Sequence, residues 1–343
     1  MDLWRELSVA TKLRIIGQVL SERATYFRKK YPAVTGMSAG YRVTRSQNLP
    51  HMDEVCLRFT VRAKWAQGVP KGRLLPASVS RTVSVNNRRM KIRIPTDVSA
   101  YQEGRQQSTD LTNGIEIDFG AVGPNYGVSL CIVSDVDAPD NKFLLTCQHV
   151  VDPRLSGEFD NNICVNSANL ALLGICNKAL GAMLTLDAAL IPLRSGAFGR
   201  ISSWRTLISS VVGHSEIHDL MNRHETLFLL CRSRTPSTAT LAAVSRTRKI
   251  EVRLESVDHD NETLKYVGTN RSEYSFNRLI KYYFLSEPSK PGDSGSAVVT
   301  ADGRLVGMHF YGMIENNSRS LGFAIEASAL FQNGLFPINI SLP

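Results

Sequence analysis

Six cysteines are spread through 343 residues, at Cys56, Cys131, Cys147, Cys164, Cys176 and Cys231, and none stands in a Cys-x-x-Cys pair. Without that spacing the usual zinc and thiol-redox readings fall away. Scattered thiols in a large domain are expected to be buried and reduced, not a disulfide framework. Nor does any apolar stretch approach the length of a membrane span. No secretory leader is expected either, because Asp2, Arg5, Glu6, Lys12 and Arg14 break up the first residues. No basic-aromatic array and no nucleic-acid motif is present, so the net charge of +9 implies only weak attraction to acidic partners and no nucleic-acid ligand. Internal repeats and low-complexity tracts are also lacking. Together these absences lead us to expect an intracellular, cytoplasmic protein with no cofactor.

What is present is an ordinary globular composition, 43% apolar, in a chain long enough for two or three compact units. Residues 1–31 read as an amphipathic helix, with Leu3, Leu7, Leu13, Ile16 and Leu20 at near-helical spacing. We expect it to pack on the protein's own body, with Arg28-Lys29-Lys30 as a charged helix end. Pro32 stops the pattern. Residues 32–98 then turn to β texture, alternating over 41–43, 55–61 and 90–94, with 74–85 as a separator. This reads as a small α+β domain that ends where Pro95 closes a strand. Residues 99–119 form a polar linker.

From 120 to 343 short strands recur, among them 128–133, 143–145, 226–231, 238–244, 249–254 and 264–267. Their density argues for β-barrels and against an α/β sheet. Two lobes are expected, at about 120–200 and 225–335, joined by a more polar, partly helical stretch.

Three motifs carry chemistry. Lys290-Pro291-Gly292-Asp293-Ser294-Gly295-Ser296-Ala297 places a serine in a glycine-flanked turn, which can expose a hydroxyl while aiming backbone N–H groups at one point. Leu144-Leu145-Thr146-Cys147-Gln148-His149-Val150 sets a histidine just after an apolar strand, where it can act as a base near neutral pH. Leu186-Asp187-Ala188-Ala189-Leu190 sets one acid in an apolar run, where an unpaired carboxylate is costly and so demands a partner. His149 is the candidate base, Asp187 its orienting acid and Ser294 the nucleophile. The N–H groups of Gly292 and Ser294 are the candidate oxyanion donors.

These motifs, in the order His, Asp, Ser, resemble those of trypsin-like serine peptidases of the bacterial type. Thr146-Cys147-Gln148-His149 is similar to the family's Thr-Ala-Ala-His, Asp187-Ala188-Ala189-Leu190 to its Asp-x-Ala-Leu, and Pro291–Ala297 to its Gly-Asp-Ser-Gly-Ser turn. Arg304–His309 matches the strand that follows, and Leu321–Ile325 the last strand before a terminal helix. The resemblance covers about Gly120 to Phe331. It implies an all-β peptidase domain of two perpendicular six-stranded antiparallel barrels with the triad in the cleft, acting on a protein or peptide substrate. Gly40–Val43, Val55–Val61 and Ile94–Val98 are more loosely similar to a segment found ahead of such peptidases, and for residues 1–119 a pro-segment, a substrate-recruiting module or a passive brace are all open. A regulatory partner at the N-terminal domain is one expectation.

The departures are informative. No Ile-Val-Gly-Gly start lies near Gly120, so Asp293 needs a partner other than a freed amine. Pro288 stands six residues before the serine, where trypsin has an aspartate, so a pocket for basic side chains has no support. His309, Tyr311 and Gly312 lie in Gly307-Met308-His309-Phe310-Tyr311-Gly312, which resembles the Gly-x-His stretch by which glutamyl and picornavirus-type proteases contact Glu or Gln. A histidine packed behind the strand is the competing reading. His214, His218 and His224 have metal-like spacing but no matching third ligand, and we read them as a solvated connector with no metal. An active endopeptidase leads; a restrained, protease-like binding or regulatory module and an esterase are the alternatives.

Overall fold

The computed structural model describes residues 3–43, 50–61, 74–85, 88–100, 105–106, 117–118, 128–151, 163–166, 172–176, 181–183, 186–193, 208–233, 246–260, 262–265, 273–290, 292–314, 320–332, 335–336 and 338–342. The chain opens with α1 (Leu3–Glu6) and α2 (Val9–Lys30). Ser8 caps α2 by accepting the Thr11 N–H at 3.2 Å, and Arg28, Lys29 and Lys30 occupy the last turn, where free carbonyls favour positive charge. Leu13, Ile16 and Leu20 are buried, and Leu3 and Leu7 are partly buried in the same cluster. The helix therefore packs on its own protein.

Next come β1 (Val34–Val43), β2 (Pro50–Val61), β3 (Ser78–Val85) and β4 (Arg88–Ala100). Two expectations are corrected here. The stretch 74–85 is more than a separator, since β3 pairs along β4 from Ser78↔Pro95 to Val85↔Arg88. Pro95 does not close its strand, because β4 runs on to Ala100. The proline stands where β4 changes partners, antiparallel to β3 up to Pro95 and parallel to β2 from Thr96. A residue without an N–H is tolerated at such a handover, and Thr96 resumes by donating to the Ala77 carbonyl at 3.2 Å.

The middle of the chain holds β5 (Arg105–Gln106), β6 (Ile117–Asp118), β7 (Cys131–Asp135), β8 (Lys142–Cys147), α3 (Gln148–Val151), β9 (Ile163–Asn166), β10 (Leu172–Cys176), β11 (Gly181–Met183) and β12 (Ala188–Pro192). The last part holds α4 (His214–Asn222), β13 (Leu227–Ser233), β14 (Arg246–Asp260), β15 (Glu262–Lys265), β16 (Glu273–Phe276), β17 (Leu279–Phe284), β18 (Ala297–Val299), β19 (Leu305–Ile314), β20 (Ser320–Glu326), α5 (Ala327–Leu330) and β21 (Ile340–Ser341). The expected strand at 238–244 lies outside the described residues.

Strands β13-β18-β19-β20-β17-β14 are joined by antiparallel pairings, and β14 returns to β13, which closes a six-stranded barrel. Further strands form a five-stranded sheet, β11-β12-β8-β7-β21, which the C-terminal β21 joins, and a three-stranded one, β10-β9-β6. Among the described residues the chain is thus mostly β, with one closed six-stranded barrel, further strands and an N-terminal helix, and it matches the chymotrypsin double-barrel fold. One apolar cluster joins the two lobes, including Leu145, Val150 and Leu190 from the first and Met308, Phe310 and Leu330 from the second.

Strand β14 is 15 residues long. Its far half stays paired with β17 but exchanges β13 for β1, through Ala39↔Val257 and Gly40↔Ser256, so the barrel sheet continues into β1, β2, β4 and β3. Gly40 permits the approach: a Cβ there would sit 2.4 Å from the Ser256 Cβ and 2.9 Å from the Glu255 carbonyl. Beside it Arg58 of β2 reaches Glu255 of β14 at 2.5 Å, and Lys281 of β17 reaches the same oxygen at 3.3 Å. Burial opposes a charged guanidinium, yet Glu255 and Asp97 hold the Arg58 pKa above its ordinary value. Among the described residues no helix is long and apolar enough to cross a membrane.

Candidate active site

The backbone brings His149 and Asp187 together. β8 and β12 pair with Cys147 opposite Ala188, so the residues just past the end of one strand and just before the start of the other become neighbours. The His149 N–H donates to Asp187 Oδ1 at 2.9 Å, and His149 Nδ1 lies 2.6 Å from Asp187 Oδ2. The Gln148 N–H adds a bond to the Asp187 carbonyl at 3.0 Å. One carboxylate therefore grips both the backbone and the ring of the histidine. Asp187 adopts a left-handed φ of 45°, a region that residues other than glycine seldom occupy, though Asp enters it more readily than most. Both side chains are fully buried.

The Ser294 turn is tied to the histidine strand by four hydrogen bonds, which run through Val128 and the His309 carbonyl. The Val128 N–H donates to the Ser294 carbonyl at 2.7 Å, while the Val128 carbonyl accepts from Thr146 Oγ1 at 2.8 Å. The Cys147 thiol donates to the His309 carbonyl at 3.5 Å, and that carbonyl also accepts the Gly295 N–H at 2.7 Å. Gly295 has φ 93°, and a Cβ on it would fall 1.7 Å from the Val128 carbonyl oxygen. Only glycine fits there. Ser294 is buried, and its Oγ donates to the Phe310 carbonyl at 3.3 Å. Gly292, the other candidate oxyanion donor, has φ 94°.

Asp293 has the partner that the sequence could not name. Its Oδ2 accepts from Arg248 Nη2 at 2.9 Å and from the Lys290 N–H at 2.6 Å. Burial pushes the Asp293 carboxyl above its ordinary range, against the pull of those two donors. Arg248 also reaches Glu287 at 3.2 Å. Nothing local marks Arg248 in the sequence, because the pairing spans 45 residues.

His309 lies on β19 inside the barrel, fully buried, with Nδ1 2.5 Å from the Tyr282 hydroxyl and 3.2 Å from the Phe323 carbonyl. Burial drives its pKa down to about 3, so the ring is neutral at physiological pH. Tyr311 and Gly312 continue the strand, where they pair with Gln106 and Arg105 of β5. The described cysteines Cys56, Cys131, Cys147 and Cys231 are free and buried. Burial pushes the Cys56 and Cys131 thiols up to about 12 and Cys147 well above its usual value.

The histidines around α4 are not a solvated connector. α4 buries Ile217, Leu220 and Met221, and His214 and His218 both contact carboxylates. His224 lies against Tyr41, with ring centroids 5.3 Å apart and the ring planes tilted by 44°.

No protein-family model and no curated protein matches the sequence. Solved structures similar to the chain include the protease domain of MamO from Magnetospirillum magneticum, at 16% identity and a TM-score of 0.35, covering 63% of this chain and 92% of that one. Thermobifida fusca protease A matches at 14% identity and a TM-score of 0.38, covering 67% and 97% respectively. A Nocardiopsis protease matches at 15% identity and a TM-score of 0.36, covering 65% and 95%.

Proposed function

We propose that this chain is a serine endopeptidase in which Ser294, His149 and Asp187 cleave a specific protein substrate. The observation that supports it best is the buried His149–Asp187 clasp, held beside the strand to which Val128 ties the Ser294 turn. Ser294 Oγ turns from the Phe310 carbonyl toward the imidazole and attacks the substrate carbonyl carbon. His149 takes the hydroxyl proton and Asp187 stabilises the resulting imidazolium. The negative oxygen of the tetrahedral intermediate meets the N–H groups of Gly292 and Ser294. Collapse breaks the C–N bond, His149 returns the proton to the leaving amine, and water then hydrolyses the acyl ester by the same route. Because Arg248 already pairs with Asp293, the turn needs no freed chain-end amine to hold its shape.

In this reading His309 selects the residue before the scissile bond. A neutral imidazole gives a hydrogen bond without a charge, which suits the amide of Gln better than the carboxylate of Glu. The test is labelling by a fluorophosphonate probe together with cleavage of a peptide library. Wild type should label and Ser294→Ala should not; a preference for Arg, Lys or bulky apolar residues would remove His309 from the selector role.

A specific observation favours a second reading, in which the activity is restrained in cis. β5 adds to β19 at Tyr311–Gly312, beside Phe310, whose carbonyl holds the nucleophile. A peptide substrate that added as a strand to this edge would compete with the chain's own residues 105–106. Replacing Arg105 and Gln106 together by proline removes their N–H donors. Faster probe labelling of that full-length variant supports restraint, and an unchanged rate counts against it. The next residue in the sequence is Gln107. A slow cut after it in wild type and none in Ser294→Ala, read by intact mass, is the further expectation.

A further inference from the structure

We propose that His214, His218 and Asp258 bind one divalent transition-metal ion, with zinc the best match. The two histidines are i and i+4 on α4, which sets their rings on one face, with centroids 5.2 Å apart. The ligand that the sequence lacked comes from β14, forty residues on. Asp258 has φ 56° and lies where the β14–β17 register is interrupted, between Ser256 and His259. Such an irregularity re-aims a side chain out of the strand's alternation, and here the carboxylate meets α4. Its oxygens lie 3.0 and 3.1 Å from His218 Nε2, and one is 3.5 Å from His214 Nε2. All three residues offer a donor atom within 4.8 Å of the others. Four-coordinate zinc with bonds of about 2.0–2.1 Å keeps its ligand atoms roughly 3.3 Å apart, so a small adjustment of side chains suffices.

The outer shell fits as well. His214 Nδ1 lies 2.9 Å from Glu326 Oε2, which assigns Nε2 to the ion, and Arg278 holds Glu326 at 2.7 Å. Metal-bound histidines are commonly oriented by a carboxylate on the other ring nitrogen. Two imidazoles and one carboxylate suit zinc and disfavour calcium or magnesium, which take oxygen ligands. The His214 side chain is 40% exposed, so water can reach the fourth position. The Cys147, His149 and Asp187 donors also converge. That group is a poor alternative, because burial keeps the Cys147 thiol protonated and Asp187 is committed to His149. An ion on α4 and β14 would clip the helix to the part of β14 that carries β1.

The test uses full-length protein stripped with a chelator, titrated with zinc by calorimetry and with cobalt(II) by visible absorption. One zinc per chain should bind, cobalt should show four-coordinate ligand-field bands, and zinc should raise Tm. His218→Gln and Asp258→Asn should each weaken zinc binding by about tenfold or more, and Glu326→Gln by about tenfold. His149→Ala should bind as wild type does. If the Asp258 variant fails to fold, His214→Gln at the exposed edge gives the same readout. Absence of zinc binding, binding unchanged in the folded His214 and His218 variants, or binding lost in His149→Ala would each overturn the assignment.

Discussion

Asp187 is asked to do two things at once, receive the His149 backbone N–H and steer its ring, and it does so in a left-handed conformation. Asn at this position keeps the shape but offers an NH₂ where a carboxylate oxygen stood, which favours the wrong imidazole tautomer. For Asp187→Asn we expect kcat on a peptide substrate to fall by about 10⁴ with little change in KM, by analogy with the serine-protease triad. Gly295→Ala belongs to the same scale. With the added methyl 1.7 Å from the Val128 carbonyl, either the turn or Val128 must move. Loss of probe labelling and a lower Tm are expected, and a variant with native activity and Tm would contradict this packing. The three residues proposed for the chemistry could be picked out because each imposes a visible local texture: a glycine-flanked turn, a histidine closing an apolar strand, an acid among Leu and Ala. Arg248 and Asp258 could not, because their meaning comes from partners 45 and 40 residues away.

At the scale of elements, the pairing of β1 with β14 carries a buried charge cluster. Glu255 is the shared counter-charge of Arg58 and Lys281, and its removal takes a buried carboxylate from both at once. Glu255→Ala should therefore cost about 3–5 kcal/mol in denaturant unfolding, the range for breaking a buried pair. Arg58→Met leaves Glu255 with Lys281 and adds apolar volume, so it should cost clearly less. Equal costs would mean that the cluster is not shared in this way. β3 and the length of β4 were hidden in the sequence. Pro95 reads as a terminator because proline usually leaves a ladder, whereas here it marks the exchange of one partner strand for another. The α2 stripe was readable because packing on one face leaves a 3.6-residue period, with Leu13, Ile16 and Leu20 all inside.

For the whole molecule, His309 links stability to pH. Its folded pKa is depressed to about 3, from about 6.5 in an unfolded chain. Its contribution is therefore present above about pH 6.5 and is lost as the pH falls toward 3, because only the unfolded chain takes up the proton in that window. His309→Asn should flatten the fall in unfolding free energy between those limits; an unchanged slope would mean that the ring ionises in place. Thiol titration offers a second global check. With four of the six cysteines buried and free, no more than two should react in the native protein and all six after denaturation. Barrel topology left its trace as closely spaced strands. The junction with the N-terminal strands left none, because hydrogen bonding along a strand edge has no sequence signature.

That junction limits how the protein can be dissected. A fragment starting near residue 120 would leave the outer half of β14 as a bare row of peptide donors and acceptors, with Glu255 deprived of its guanidinium. Such an unpaired border recruits other chains. The excised fragment is therefore expected to self-associate where the intact polypeptide stays monodisperse, which light scattering would register. Cutting the chain in the 99–119 stretch without removing the front piece should leave both halves together on a gel-filtration column.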